Sequence, residues 1–152
     1  MCGGSPQVSI TRLVNAPRSV VYQAFTNPDH FALWWGPFDN VLPREEITFD
    51  LRSGGSMQWK EFFPSEPAVW TIGRIELKTS IKRYFSMAKC GLLETFQGGF
   101  QPFVTRMQIA FYDQGDLATR LEIFQWLPES SAAPTEGGWS EALEKLDAAL
   151  KI

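Results

Sequence analysis

Residues 138–150 read GWSEALEKLDAAL, and this stretch decides the fold. Trp139, Leu143, Leu146 and Leu150 recur at intervals of four, three and four residues. Because an α-helix turns once in about 3.6 residues, these side chains form one continuous apolar stripe. The other side carries most of the charged residues, Glu141, Glu144, Lys145 and Lys151. The pattern predicts a C-terminal helix that buries one side.

Upstream of this helix, apolar and polar residues alternate in a succession of short runs. Alternation with a period of two is typical of strands that are buried on one face. The predicted strands span residues 8–14, 46–51, 56–61, 70–77, 81–88, 104–112 and 118–126. Residues 91–102 and 128–134 are predicted loops, and Thr135 is expected to cap the final helix.

Two short helices are predicted between the first and second strands. The start of each helix is indicated by a capping residue and a proline, at Asn15-Ala16-Pro17 and at Asn27-Pro28-Asp29. Pro17 is expected in the first turn of its helix, and Gly36-Pro37 ends the second helix. One strand, two helices, six strands and one long helix predict an α+β fold with an antiparallel sheet of about seven strands. With 152 residues, the chain is expected to be one domain over residues 7–152 after a flexible leader, residues 1–6.

Composition excludes several classes of protein. The net charge is −3 and the basic residues are dispersed, so nucleic-acid binding is not expected. No apolar run approaches the roughly 18 residues of a membrane span. The N-terminus lacks the features of a signal peptide, which predicts a cytoplasmic protein.

Metal and cofactor chemistry is not expected either. Cys2 and Cys90 are the only cysteines and are read as free thiols, and His30 is the only histidine and is predicted to lie at the surface. A lone histidine without a neighbouring nucleophile excludes a histidine-based triad. Gly54-Gly55 joins two strands and is read as a hairpin turn rather than a phosphate loop. We predict no metal and no cofactor.

Three segments carry a resemblance to a known family. They are residues 11–37, which include Asn15-Ala16-Pro17 and Trp34-Trp35-Gly36-Pro37, the stretch DLRSGG at residues 50–55, and Gly138-Trp139-Ser140 with the leucines that follow. Together they resemble the bacterial family named after the activator of the heat-shock-protein-90 ATPase, within the START-like (SRPBCC, birch-pollen-allergen-like) superfamily. The resemblance implies a helix-grip fold, in which a curved sheet wraps around the last helix and leaves an apolar cavity. Relatives bind lipids, sterols, polyketides or plant hormones, and some catalyse cyclisation or hydrolysis.

The parity of the strands predicts which residues would line that cavity. Six tryptophans and twelve phenylalanines are many for so short a chain, and large rings line pockets as readily as they fill cores. The predicted lining is Trp35, Met57, Trp59, Glu61, Gly73, Ile75, Leu77, Arg83, Phe85, Met87, Met107, Ile109, Phe111, Leu121, Ile123, Trp139, Leu143 and Leu146. The competing interpretation is that many of these side chains simply fill the core.

Glu61 is the residue that stands out in this set. It shares the parity of Met57 and Trp59, and a carboxylate buried there would have a raised pKa unless a cation paired with it. Arg83 has the matching parity and is the predicted cation. Glu61 could orient a polar head group of a ligand or act as an acid or base, although exposure near the end of its strand is also open. Of Trp34 and Trp35, one ring is expected to pack under the sheet and the other to face the mouth of the cavity or solvent.

The leading hypothesis is a binding or carrier protein for a small hydrophobic molecule. The first alternative is an enzyme of the polyketide-cyclase or hydrolase type that uses the same cavity, with Glu61 as its weak catalytic candidate. The second is a co-chaperone-like protein-interaction domain, which the family name alone suggests. The sequence leaves the ligand and the oligomeric state, including a homodimer, open.

Overall fold

The computed structural model describes residues 4–52, 54–64, 66–79, 83–95, 103–115 and 117–150. For residues 66, 67, 69, 70, 72–79, 83–95, 103 and 104, which lie in strands, the description covers the backbone alone.

The described residues form seven strands: β1 (Val8–Val14), β2 (Thr48–Phe49), β3 (Ser56–Phe63), β4 (Glu66–Thr79), β5 (Arg83–Thr95), β6 (Phe103–Asp113) and β7 (Thr119–Trp126). They make one sheet in the order β1-β7-β6-β5-β4-β3-β2, and each neighbouring pair is antiparallel. β1 has the predicted limits, and burial alternates along it from Val8 to Val14, although Arg12 and Leu13 interrupt the alternation of apolar and polar residues in the sequence.

The same residues form three α-helices, α1 (Arg18–Thr26), α2 (Pro28–Trp34) and α3 (Ala132–Ala149). Asn27 caps α2 by accepting a hydrogen bond from the backbone N–H of Asp29, at 2.9 Å. The α+β class, with an antiparallel sheet and a C-terminal helix, is therefore confirmed. Among the helices described, none combines the length and the apolar character needed to cross a membrane.

Three strand predictions were wrong in their extent. The strand predicted over 46–51 contracts to Thr48–Phe49 because Arg44–Glu46 form a 3-10 turn and the N–H of Arg52 bonds the carbonyl of Asp50. β4 and β5 are instead much longer than predicted. Their pairing shifts register between residues 72 and 75 and between residues 87 and 91, and such bulges interrupt the alternation that reveals a strand. The predicted loop at 91–102 was thus wrong for residues 91–95, and residues 96–102 lie outside the described part.

Two helix starts also differ from the prediction. α3 begins at Ala132 with Ser131 as its N-cap, so Thr135 lies inside the helix rather than capping it. Pro134 is compatible with this start because a proline in the first turn removes an N–H that has no partner within the helix. Pro17 is the N-cap of α1 rather than a residue of its first turn.

One face of the sheet packs against the helices, and we call it the inner face. Along β7 the odd-numbered residues from Thr119 to Gln125 are buried, as alternation requires for a strand with one covered side. From α3 the buried residues are Trp139, Ala142, Leu143 and Leu146. These residues and the inner-face side chains of β3, β6 and β7 belong to one apolar core. The predicted stripe of α3 is confirmed as its buried side.

Candidate functional site

A buried carboxylate lies on the inner face of β3. Glu61 follows Met57 and Trp59 at intervals of two, so all three point to the same side, and Glu61 is only 9% exposed. Its Oε1 accepts a hydrogen bond from Asn40 Nδ2 at 2.8 Å, and its Oε2 accepts one from Trp59 Nε1 at 3.1 Å. The Trp35 side chain lies near this carboxylate and favours its ionised form.

Lys145 of α3 completes this arrangement. Its Nζ donates to the carbonyls of Trp35 and Pro37, at 3.3 and 3.1 Å, and to Asn40 Oδ1 at 3.3 Å. The Asn40 amide therefore joins the ammonium group to the Glu61 carboxylate. We call Trp35, Asn40, Trp59, Glu61 and Lys145 the Glu61 cluster. It ties together the end of α2, the loop that follows, β3 and α3.

Gly36 makes room for the Glu61 cluster. Its φ of +88° lies in the left-handed region, which residues with a Cβ atom seldom adopt. A Cβ atom built on Gly36 would lie 2.1 Å from Asn40 Nδ2 and 2.7 Å from Glu61 Oε1. Both the turn and the close approach of the two side chains depend on glycine at this position.

Burial sets the protonation of the two charged groups. Loss of hydration raises the pKa of Glu61 above its ordinary value, although the hydrogen bonds from Trp59 and Asn40, the nearby Trp35 side chain and the charge of Lys145 favour the ionised form. Burial lowers the pKa of the Lys145 ammonium, against the attraction of Glu61, Glu141 and Asp39. A carboxyl group with a raised pKa inside an aromatic surrounding can exchange a proton or hold a polar group of a ligand.

The raised pKa of Glu61 predicts a pH dependence of stability. Above pH 4.5, the ordinary pKa, folded Glu61 retains a proton that the unfolded chain releases, so stability falls as pH rises towards the folded pKa. The melting temperature of the wild type minus that of Glu61→Gln should therefore decrease with rising pH, starting near 4.5. Glu144→Gln, which removes an exposed carboxylate from α3, is the control. A difference that stays constant or grows with pH would refute this assignment.

Trp35 lies between the sheet and the closing helix. Its ring centroid is 5.2 Å from that of Trp59 on β3 and 5.1 Å from that of Trp139 on α3, both edge to face. It also stacks on Phe31 of α2 at 4.7 Å. Trp34 is fully buried and donates its Nε1–H to the carbonyl of Ala24, while Trp35 is half-buried. Both rings therefore pack against other side chains, and the expectation that one of them faces the mouth of a cavity or solvent stays a prediction.

Arg83 is not the cation beside Glu61, so that prediction was wrong. Glu61 pairs with Val69 of β4, whereas Arg83 pairs with Thr79, ten positions further along β4. At about 3.3 Å per residue this is a separation of roughly 30 Å, far beyond the reach of an arginine side chain. The cation near Glu61 is Lys145, which the helical pattern had placed largely on the exposed side of α3.

The other predicted lining residues fall into two groups. Those whose side chains are described are all buried in the common core, namely Met57, Trp59, Met107, Ile109, Phe111, Leu121, Ile123, Trp139, Leu143 and Leu146. For the rest the register alone is known, and it pairs Gly73 with Met57, Ile75 with Met87, Leu77 with Phe85, Phe85 with Ile109, and Met87 with Met107. The described part does not include the side chains of Ile75, Leu77, Arg83, Phe85 and Met87. It also does not include Cys2 or the side chain of Cys90. His30 is exposed.

Sequence reasoning missed a second polar connection between the sheet and α3. Trp139 Nε1 donates to Gln125 Oε1 at 2.9 Å, and Gln125 Nε2 donates to Thr105 Oγ1 at 3.0 Å. The Thr105 hydroxyl in turn donates to the carbonyl of Trp126 at 2.7 Å. Extending the inner-face alternation of β6 and β7 by one step would have found Thr105 and Gln125.

An antiparallel sheet covered on one face by a long C-terminal helix and two short helices defines a START-like protein. The model of the family described as "Activator of Hsp90 ATPase homolog 1-like protein" matches residues 15–151. The chain belongs to this family. The family and the fold suggest ligand binding or a co-chaperone-like role.

Solved structures agree with this assignment. A protein from Chromobacterium violaceum is 21% identical over 95% of this chain and 96% of its own, with a TM-score of 0.73. A protein from Rhizobium loti is 22% identical over 94% and 95%, with a TM-score of 0.68. The AHSA1 protein from Silicibacter pomeroyi is 14% identical over 94% and 96%, with a TM-score of 0.69. At these identities the likeness establishes the fold alone. Among curated proteins, none matches the sequence significantly.

Proposed function

We propose that this protein binds a small hydrophobic molecule between the inner face of its sheet and α3, in the manner of a helix-grip fold. The main observation that supports this proposal is a pair of adjacent glycines in the middle of the sheet. Ile72 pairs with Leu92, so Gly73 and Gly91 come next on their strands, where the register shifts. Gly73 pairs with Met57 on one side and Gly91 pairs with Thr105 on the other.

This position leaves bare backbone on the inner face of the sheet. Directly opposed residues of antiparallel strands point to the same face, and both Met57 and Thr105 are buried on the inner face. Glycine weakens a strand, and its occurrence inside one often marks a place where a ligand approaches the backbone closely. Two glycines side by side therefore support a seat for a guest at the centre of the sheet.

The surroundings of this seat suit a mainly apolar ligand with one polar group. The described side chains around it include Met57 and Met107, whose flexible thioethers adapt to guests of different shape. Thr71, Thr105 and Gln125 are buried polar residues that could orient a polar end. Burial of apolar ligand area would supply roughly 25 cal/mol per Å² before the costs of association are met.

Dodecanoic acid at about ten times its Kd is expected to stabilise the protein by about 1.4 kcal/mol, which corresponds to a rise of about 3–6 °C in melting temperature. Differential scanning fluorimetry measures this shift. Gly73→Val and Gly91→Val should remain folded, because they fill the seat with side chains that favour strands, but they should lose the response to the acid.

Ser9→Val is the matched control because Ser9 is exposed on β1 and adds similar bulk away from the seat. It should keep the full response. The proposal fails if the wild type shows no shift with dodecanoic acid or with 1-anilinonaphthalene-8-sulfonate. It also fails if the two glycine variants bind these probes as the wild type does, or unfold because no space exists for a valine.

The Glu61 cluster favours a second candidate, an enzyme that transforms its ligand. A buried carboxyl group with a raised pKa is the kind of group that serves as a general acid or base. If Glu61 has this role, Glu61→Gln should abolish turnover of a bound ester or polyketide-like substrate while leaving its Kd within about threefold. Equal turnover by the two proteins would exclude Glu61 as the catalytic residue.

A further inference from the structure

The side chains around Trp35 form a site that suits aromatic rings of one chemical kind. Four aromatic side chains from three elements contact its indole, Phe31 and Trp34 from α2, Trp59 from β3 and Trp139 from α3. The Glu61 carboxyl group, which accepts hydrogen bonds from Asn40 and Trp59, lies beside it. Indole N–H is a donor only, so the polar wall of this place is an acceptor. We call the space occupied by this indole the Trp35 slot.

The residues that surround the Trp35 slot are more deeply buried than Trp35 itself. Phe31, Trp59 and Trp139 are at most 5% exposed and lie in regular elements of the core. Trp35 is half-buried and follows the last residue of α2, immediately before the left-handed Gly36. Its side chain is therefore less deeply buried than the rings around it and is attached to the chain beside a turn.

The loop that carries Trp35 is attached both by the ring contacts of Trp35 and by polar contacts to α3. Lys145 holds the carbonyls of Trp35 and Pro37, and Glu141 Oε1 accepts the N–H of Phe38 at 2.8 Å. The Phe38 side chain is 58% exposed. Displacement of Trp35 by another aromatic ring would replace its ring contacts with similar ones, and the hydrogen bonds from the loop to α3 would be exchanged for hydrogen bonds to water.

We propose that Trp35 acts as an internal substitute for the ligand and that the Trp35 slot receives a planar aromatic ring bearing an N–H or O–H donor. The incoming ring displaces the indole, stacks on Phe31 between Trp59 and Trp139, and donates to Glu61. This inference rests on the proposed function and deepens it by naming the aromatic, donor-bearing class of ligand. Stacking and edge-to-face contacts supply the affinity, and the carboxylate selects for the donor.

Indole and indene are the probes that test the proposal, because they have nearly the same shape and only indole carries an N–H. The wild-type protein is labelled with 5-fluorotryptophan, and the Trp35 resonance is assigned by comparison with Trp35→Phe. In ¹⁹F spectra, indole should move the Trp35 resonance saturably to the position of a solvent-exposed ring and leave that of Trp126, which lies on β7 apart from the rings around Trp35, nearly unchanged. Indene should bind about threefold to tenfold more weakly, as loss of one hydrogen bond to the buried carboxyl group implies.

Trp35→Ala provides a second measurement, since it removes the internal occupant. Indole should bind this variant at least about tenfold more tightly than it binds the wild type, and Glu61→Gln in the same background should reduce the preference for indole over indene. If Trp35→Ala does not fold, the spectra of the wild type alone decide the matter.

The outcomes separate this inference from the proposed function. Stabilisation by dodecanoic acid with a Trp35 resonance that indole leaves in place would overturn the slot and leave the carrier proposal standing. Movement of Trp35 by indole without any response to dodecanoic acid would support the slot and refute the broader apolar seat. Equal affinity for indole and indene would overturn the role of Glu61 as the selecting acceptor.

Discussion

Gly36→Ala is expected to lower the free energy of unfolding by about 2–5 kcal/mol. An alanine forced into the left-handed region costs about 1–2 kcal/mol. The new Cβ atom would also displace Asn40 Nδ2 and Glu61 Oε1, which it would approach to 2.1 and 2.7 Å. Loss of the hydrogen bond between these atoms leaves a buried carboxylate with one donor fewer, which adds about 1–3 kcal/mol. Urea denaturation measures the change.

Gly54→Ala is the matched control for this substitution. Gly54 has a similar φ of +82°, and a Cβ atom there would have no neighbour within 4 Å. It should therefore show the backbone cost alone, about 1–2 kcal/mol. Equal effects of the two substitutions would mean that Gly36 is needed only for its turn and that the Glu61 cluster adds nothing to the requirement.

Lys145→Met is expected to destabilise the protein by about 2–3 kcal/mol. The substitution keeps the apolar stem but removes the three hydrogen bonds to Trp35, Pro37 and Asn40. It also removes the positive charge that favours ionised Glu61. Taking one partner from a half-buried polar network costs more than the net value of its bonds, because the groups left behind lose their partners.

Glu144→Met controls for the loss of a charged residue from α3, since Glu144 is exposed beside Lys145. It should change stability by no more than about 0.5 kcal/mol. A double-mutant cycle with Glu61→Gln should show a coupling of about 1 kcal/mol or more, with Lys145→Met less harmful when Glu61→Gln is already present. Additive effects would show that Lys145 and Glu61 act independently.

Strand parity was the most informative signal in the sequence. It placed Met57, Trp59 and Glu61 on one side of β3, and all three are buried there. The period of the C-terminal stripe likewise identified the buried side of α3. Such patterns succeed because a side chain's direction within a regular element depends only on its position along that element.

The partner of Glu61 could not be found in this way. The choice of Arg83 required the register across β4 and β5, and both strands extend well beyond their visible alternation and contain bulges. Each bulge shifts the pairing, so an error of position accumulates along a long hairpin. Parity identifies a face, but it does not say where along that face two residues lie.

Asn40 and Lys145 were missed for a different reason. Asn40 lies in an irregular loop, where neither helical nor strand periodicity applies. Lys145 flanks the apolar stripe of α3, and its long side chain reaches the carbonyls of the loop after α2. The spacing of Glu141 and Lys145, one helical turn apart, was visible in the sequence, but the loop that they hold was not.

The direct test of a guest seated between the sheet and α3 is NMR of the protein labelled with ¹³C at its methionine methyl groups, in the presence of dodecanoic acid. The sequence has four methionines, and Met57 and Met107 are buried on the inner face beside the two glycines. The methyl signals of Met57 and Met107 should shift saturably and show intermolecular nuclear Overhauser contacts to the acyl chain. Unchanged signals of Met57 and Met107 and no contacts, with the acid present in excess, would contradict the proposal that this interior binds a hydrophobic ligand.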